Sequence, residues 1–307
     1  MRVPYRPHFA VVRFASSRQV LYLVISLQGR ARSIVLTHIA SAVVILASAC
    51  DRSSSEGTAE PRLPRSFFKE DFETATSVAD LFPSTGARWH GLQIQPDLNE
   101  IELTTDRSHS GAQSLLFAAM PQLGADGSKA DIYLDGLHLG EGAQAWFEWW
   151  VWLDAWDSTE DMYLWDLEAP TTCTDSIACP APGAGTICNS PGRRLFIGGA
   201  GERLLASDLG KWCIGDMMRQ VPERAAPFPL ASWVRIRVHI VVSSQPTGRL
   251  EAWQNSIKVL DAAGMTLPRE DSVYARMQVG ITGNGSELVA NAIFVDDVSV
   301  WLEDPAW

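Results

Sequence analysis

The chain has 307 residues, of which 46% are hydrophobic, and a formal net charge of −11. That length supports one large core and is short for two of equal size once a leader is set aside. The acidic balance excludes nucleic acid as a partner and argues against docking on an anionic membrane surface.

Residues 1–50 carry six arginines (Arg2, Arg6, Arg13, Arg18, Arg30 and Arg32) and no acid. The remaining chain therefore sets 19 basic residues against all 36 acidic ones. An Arg-flanked apolar run, Ser33 to Leu46, ends in Ala47-Ser48-Ala49-Cys50. A positive region, an apolar region and a small-residue cleavage site together read as an export signal. The run is short for a membrane span, and Thr37 and His38 interrupt it; an uncleaved anchor is the alternative. The segment resembles a bacterial lipoprotein signal, in which the Cys after the cleavage point is lipidated. Here that residue is Cys50, with Ala47 three places before it and Leu46 one further out. Ala-x-Ala also suits ordinary signal peptidase. The protein is thus expected in the cell envelope, tethered to the membrane through lipid on Cys50, or secreted if Cys50 stays unmodified. Cys173, Cys179, Cys188 and Cys213 remain, an even set that reads as two disulfides in an exported domain. Three pairings are open, and the absence of a Cys-x-x-Cys pair speaks against zinc. Residues 51–65 are polar and Pro-containing and read as a tether. The expected division is 1–49 export signal, 50–65 lipidated Cys and tether, and 66–307 one folded domain, expected to be monomeric.

Within that domain, period-2 patterns broken by turn signals predict strands over Phe67–Phe72, Ile101–Thr104, Ser114–Ala119, Ala130–Leu134, Ala145–Leu153 and Met162–Glu168. They continue over Arg194–Ile197, Arg203–Ala206, Val234–Val242, Arg249–Gln254, Ala275–Thr282 and Ala292–Leu302. No long stretch has helical periodicity and no strand–helix–strand rhythm appears. The predicted class is all-β, a two-sheet antiparallel sandwich.

Strand parity sorts the side chains. In Ala145–Leu153, Phe147, Trp149, Val151 and Leu153 form a core face; Trp146, Glu148, Trp150 and Trp152 form the other. Sugar rings stack their C–H faces on indole while carboxylates bind their hydroxyls, so this face is a candidate carbohydrate platform. A structural layer of tryptophans is the competing reading. In Val234–Val242 the valines and isoleucines point one way, and Arg235, Arg237 and His239 the other. Two arginines could grip a uronate carboxylate; a solvated strand face is the plainer reading. Ala275–Thr282 sets Tyr274, Arg276 and Gln278 opposite Met277, Val279 and Ile281, and Met162–Glu168 sets Asp166 and Glu168 opposite Tyr163 and Trp165. Asp296 shares parity with Phe294, Val298 and Val300 and is expected to point inward, where a carboxylate needs an arginine or a cation such as calcium.

Six segments carry a resemblance: Asp71-Phe-Glu73, Asp106–Leu115, Ser232–Arg235, Gly248–Asn255, Gln278–Ile281 and Phe294–Val298. In this order they resemble the concanavalin A-like lectin/glucanase jelly rolls. Within these they are similar to small secreted polysaccharide lyases of the alginate and glucuronan type and to cellulose-induced jelly-roll proteins. The resemblance implies a jelly-roll fold and a structural calcium held by the carboxylates of Glu73 and Asp296 and the carbonyls of Ser108 and Gly111. The motifs for catalysis depart from it. The glycosidase pattern meets Leu164 at its nucleophile position, and the lyase tyrosine falls on Thr282.

Three functions follow. The first is a tethered protein that binds a poly- or oligosaccharide through Trp146, Glu148, Trp150, Trp152, Arg235, Arg276 and Gln278. The second is a lyase that cleaves uronate glycans by β-elimination, with His239 as base, Arg237 as carboxylate clamp and Tyr274 as acid. The third is a structural surface lipoprotein without a ligand.

Overall fold

The computed structural model describes residues 67–307 apart from 87, 123–126, 157–159, 170, 173–186, 189–191, 199–201, 210–215 and 222–224. The export segment, Cys50 and the tether lie outside the described residues, as do Cys173, Cys179 and Cys213 and the side chain of Cys188.

Seventeen strands form among the described residues: β1 (Phe68–Glu70), β2 (Gly91–Gln95), β3 (Glu100–Thr104), β4 (Ser114–Ala119), β5 (Ser128–Leu139), β6 (Gln144–Leu153), β7 (Met162–Glu168), β8 (Thr171–Thr172) and β9 (Ile187–Cys188). They continue with β10 (Arg193–Ile197), β11 (Leu205–Leu209), β12 (Asp216–Met218), β13 (Trp233–Val241), β14 (Gly248–Gln254), β15 (Ile257–Gly264), β16 (Tyr274–Asn284) and β17 (Asn291–Trp301). One short 3-10 turn, Val78–Leu81, follows β1.

All pairings are antiparallel and fall into two large sheets. The first runs β15-β14-β13-β6-β17-β4-β3, with β1 also paired to β17. The second runs β12-β11-β10-β7-β16-β5-β2; β8 and β9 pair separately. The chain crosses between the two large sheets from β1 to β2, β2 to β3, β4 to β5, β5 to β6, β6 to β7, β12 to β13, β15 to β16 and β16 to β17. That alternation, with neighbours far apart in sequence, makes a jelly-roll sandwich instead of two meanders.

Alternating apolar residues weld the sheets. Phe147, Trp149, Val151 and Leu153 of β6 and Val234, Ile236, Val238 and Ile240 of β13 are all buried, as their parity predicts. Trp165 of β7 meets them from the second sheet, its ring 5.0 Å from Phe147 edge-on and 6.2 Å from Trp149 in a stacked pose. Between the sheets, Gly280 lets β16 approach closely. A Cβ there would sit 2.7 Å from the Ala130 carbonyl and 2.8 Å from the Phe117 ring, and its φ of +129° suits glycine.

Three register shifts overturn parity readings. In the β7–β10 pairing the register shifts at Leu195/Phe196, where Trp165 faces Leu195 but Tyr163 faces Phe196. Leu164 is the extra residue, so Tyr163 joins Asp166 on the outer face instead of opposing it. Between Tyr274 and Arg276 the β5–β16 register also shifts. Tyr274 turns into the core, fully buried. Between Asp296 and Ser299 the β6–β17 register shifts again, with Asp297 at φ +50°. Asp296 therefore shares the outer face of the first sheet with its partner Trp150, while Val298 and Val300 face the core.

Candidate functional site

The predicted site residues divide between opposite faces of the sandwich. Trp146, Glu148, Trp150 and Trp152 on β6 lie in register with His239, Arg237, Arg235 and Trp233 on β13, all on the outer face of the first sheet. Most groups there have a partner, although the Nε of Arg235 and of Arg107 has no hydrogen-bond partner among the described residues. His239 stacks on Trp146 with ring centres 4.6 Å apart, and its Nδ1 lies 2.8 Å from a Glu251 carboxylate oxygen. Arg237 donates to Glu148 at 2.7 Å and lies over the Trp307 ring. Trp150 is covered by His109, stacked at 3.6 Å, and has the Arg235 guanidinium 5.6 Å from its ring centre. Trp152 lies under Arg107 at 4.5 Å, and its indole N–H donates to Asp154. The face is a ladder of cross-strand ring and charge pairs, which leaves little open indole for a sugar.

The proposed β-elimination trio is not assembled. Tyr274 is buried in the core, where its hydroxyl donates to the Thr266 carbonyl at 2.5 Å and accepts from the Arg193 amide. Burial raises its pKa, so it offers no proton to a ligand. His239 and Arg237 lie on the first sheet, while Arg276 and Gln278 lie on the outer face of the second.

That second face is where chemistry-bearing side chains converge. Alternation on β5 places Lys129, Asp131, Tyr133 and Asp135 outward between the buried Ala130, Ile132 and Leu134. On β16, Arg276 lies opposite Asp135 and Glu168, Gln278 opposite Tyr133 and Asp166, and Gly280 opposite Asp131. Arg276 donates to both oxygens of Asp135, at 2.6 and 3.2 Å, and stacks on Tyr133 at 3.8 Å. Its other amino nitrogen is 3.5 Å from Glu168. Arg194 of β10 forks onto Asp208 of β11 at 3.0 and 2.9 Å and lies 4.2 Å over Tyr163. Thr282 donates to Asp166 at 2.9 Å.

In the middle of this face are Asp131 and Gln278, both fully buried. Neither carboxylate oxygen of Asp131 and neither amide atom of Gln278 has a hydrogen-bond partner among the described residues. Buried polar groups are paired in the great majority of proteins, and each orphan costs about 1–3 kcal/mol. Burial pushes the Asp131 carboxyl well above its ordinary value, with Lys129 opposing and Asp166 adding to the rise. Burial likewise pushes Asp166 up to about 6, against the pull of Arg194, Lys129 and Thr282. Burial thus holds both carboxyls above their ordinary range, while Lys129 with Arg276 draws Asp131 back and Arg194 with Lys129 draws Asp166 back.

The sequence reading named Arg276 and Gln278 but not Lys129, Asp131, Tyr133, Asp135 or Arg194. The signal was present, since Lys-Ala-Asp-Ile-Tyr-Leu-Asp alternates strictly from residue 129 to 135.

The four residues expected around calcium surround one loop on the first sheet. Asp296, fully buried, accepts from the amides of His109 at 2.8 Å, Ser110 at 3.2 Å and Asp297 at 2.8 Å. Burial pushes its carboxyl up to about 6 despite those bonds. Glu73 accepts from the amides of Ala112 and Gln113, both at 3.0 Å. Its carboxylate fills the space a Cβ on Gly111 would need, at 2.3 Å, and Gly111 has φ +60°. The Ser108 hydroxyl reaches the Gly111 carbonyl at 3.4 Å. The donor set is all hard oxygen, the kind calcium takes. No group of three or more His, Cys, Asp or Glu poised for a metal occurs among the described residues.

Two antiparallel sheets in this strand order make a jelly-roll sandwich, a fold this chain shares with solved polysaccharide lyases. The structure is similar to an endo-β-1,4-glucuronan lyase from the fungus Trichoderma reesei, at TM-score 0.58 and 14% identity over 78% of this chain and 96% of that one. It is also similar to the cellulose-induced protein Cip1, at TM-score 0.50 and 14% identity over 77% and 97% of the two chains. The alginate lyase vAL-1 from a Chlorella virus matches at TM-score 0.53 and 10% identity, over 78% of this chain and 100% of that one. No protein-family model matches the sequence, and no curated protein matches it.

Proposed function

We propose that the outer face of the second sheet binds a poly- or oligosaccharide. The observation that carries this reading is the set of four unpartnered polar atoms on Asp131 and Gln278 at the centre of that face. Carboxyl and amide groups are the side chains that satisfy vicinal hydroxyls. Tyr133 and Tyr163, on the strands either side of β16, lie beneath the guanidinium groups of Arg276 and Arg194. The half-exposed Arg276 and Lys129 stand at the rim.

Glycan binding by the full chain, followed by titration calorimetry with the best oligosaccharide, tests the reading. Gln278→Leu is expected to lower affinity by about tenfold or more, because one lost paired hydrogen bond is worth roughly 1–1.5 kcal/mol. Trp150→Ala is expected to leave affinity unchanged. The reverse pattern would move the site to the first sheet.

A second reading, β-elimination, draws on one feature of the same face. Arg276, Gln278 and Tyr133 meet there as a cation, an amide and a phenol. A rise in absorbance from unsaturated uronate ends, in the same protein preparation, would favour it over binding alone.

In this proposal the domain works at the cell envelope. Cleavage precedes Cys50, lipid is attached to its thiol, and the polar segment behind it is the tether. The support is the sequence pattern of arginines, apolar run and small residues. Cys50→Ser is expected to shift the protein from the membrane fraction to the soluble one; equal partition of the two would argue for free secretion.

A further inference from the structure

We propose that the ligand of the second-sheet face is an uncharged oligosaccharide and not a polyuronate; this rests on the saccharide reading above and narrows it. The argument is a charge inventory. A uronate needs a cation with a free hydrogen-bonding edge, because a carboxylate gains most from a bidentate arginine. Both arginines on this face have committed that edge. Arg276 is forked onto Asp135 and flanked by Glu168 at 3.5 Å. Arg194 is forked onto Asp208, with its guanidinium lying on Tyr163. Lys129 reaches Gln93 at 3.5 Å and, as a single-point ammonium, has no bidentate edge to offer.

An incoming carboxylate would therefore have to displace an existing one from an arginine, or sit among carboxylates with only the Lys129 ammonium to meet it. Either route loses the charge attraction that makes uronate binding strong, and like charges at contact add a penalty. A hydroxyl-bearing ring meets no such obstacle. It can donate to Asp131 and exchange donor and acceptor bonds with the Gln278 amide; the two carboxylate oxygens and the two amide atoms have no partner among the described residues. The face is built to balance its own charge, which is what a neutral ligand requires.

The test titrates the full chain with two matched panels of tetrasaccharides. One contains neutral gluco-, manno- and β-1,3-gluco-oligomers, and the other glucuronan and alginate oligomers. Neutral oligomers are expected to bind at least about tenfold tighter, with affinity nearly unchanged up to ~0.5 M salt, where charge attraction is screened. Asp135→Asn with Glu168→Gln should free Arg276 and improve uronate affinity by about tenfold. Asp135→Asn alone, at the half-exposed partner, should give a smaller gain in the same direction.

Tighter binding of uronates by the unmodified protein, or no uronate gain in either variant with melting intact, would overturn the neutral-ligand inference and leave the saccharide reading standing. Binding of neither panel would sink both.

Discussion

Asp131→Asn and Asp166→Asn are each expected to raise the melting temperature at pH 7 while weakening ligand binding. Both carboxyls are buried, and desolvation holds their protons more tightly in the folded chain than in the unfolded one. A carboxyl with a raised folded pKa destabilises the fold once the pH exceeds its ordinary value, because the folded state must then either keep a proton or bury a charge. For Asp166 the penalty starts near 3.8 and is fully developed above about 6. A shift of that size corresponds to about 3 kcal/mol, already net of the help from Arg194, Lys129 and Thr282. Asparagine keeps the shape and still accepts from the Thr282 hydroxyl. Asp166→Asn should therefore melt several degrees higher at pH 7, with the gap closing as the pH falls to about 4. Asp131→Asn should behave in the same direction, since its carboxyl is raised as well and has no hydrogen bond to lose among the described residues. A protein that keeps such residues sacrifices stability for a site, and the paired loss of binding distinguishes that from neglect. Lower melting of both variants at both pH values would mean that the carboxyls tie the sheet together and would remove their claim to a ligand.

The two-sheet architecture was legible because burial on one face of a strand leaves a period-2 mark. All twelve predicted strands have an observed counterpart, with Arg203–Ala206 realised slightly later as Leu205–Leu209. The strands missed were at sheet edges or short. β2 and β15 each close one edge of a sheet, and their exposed Leu92, Ile94 and Ile257 blur the alternation. Strand faces were legible wherever the register is regular, as in β6 and β13. They failed at Tyr163, Tyr274 and Asp296, each beside a register shift. One extra residue inverts every parity beyond it, and no composition signal in these segments announces it.

The candidate site was less legible for a different reason. Trp146, Trp150 and Trp152 attracted the reading because three indoles on one strand face are conspicuous. Their partners His109, Arg107, His239 and Arg235 come from other parts of the chain, so sequence cannot show that the rings are covered. The second-sheet face is made of ordinary residues, one or two per strand. Its distinction is that a whole carboxylate and a whole amide, on Asp131 and Gln278, have no partner among the described residues, which only the assembled sheet reveals. Asp166 and Glu168, a commonplace carboxylate pair two residues apart, gain meaning only when β16 lays Arg276 and Gln278 beside them.

Asp296→Ala is expected to be among the most damaging single changes outside the core, at about 3 kcal/mol or more. Its carboxylate receives three backbone amides, from His109, Ser110 and Asp297, under a loop that also stacks His109 on Trp150. Truncation leaves those N–H groups without an acceptor in a buried place, and each such orphan costs about 1–3 kcal/mol. Glu73→Ala removes acceptors for only two amides and sits nearer solvent, so the loss should be smaller, about 1 kcal/mol. We propose that Glu73, Asp296 and the Ser108 and Gly111 carbonyls hold a calcium ion, which would lock the two ends of the 107–113 loop to β17 and to the segment after β1. An ion that binds only the folded state raises the melting temperature with concentration, by about 2.7 kcal/mol at a hundredfold excess over its dissociation constant. The unmodified chain should therefore melt lower in chelator and recover with added calcium, while Glu73→Ala should melt at one temperature in both. A melting temperature that ignores chelator and calcium in the unmodified chain would leave the five amide bonds as the whole tie, because those bonds already satisfy both carboxylates without an ion.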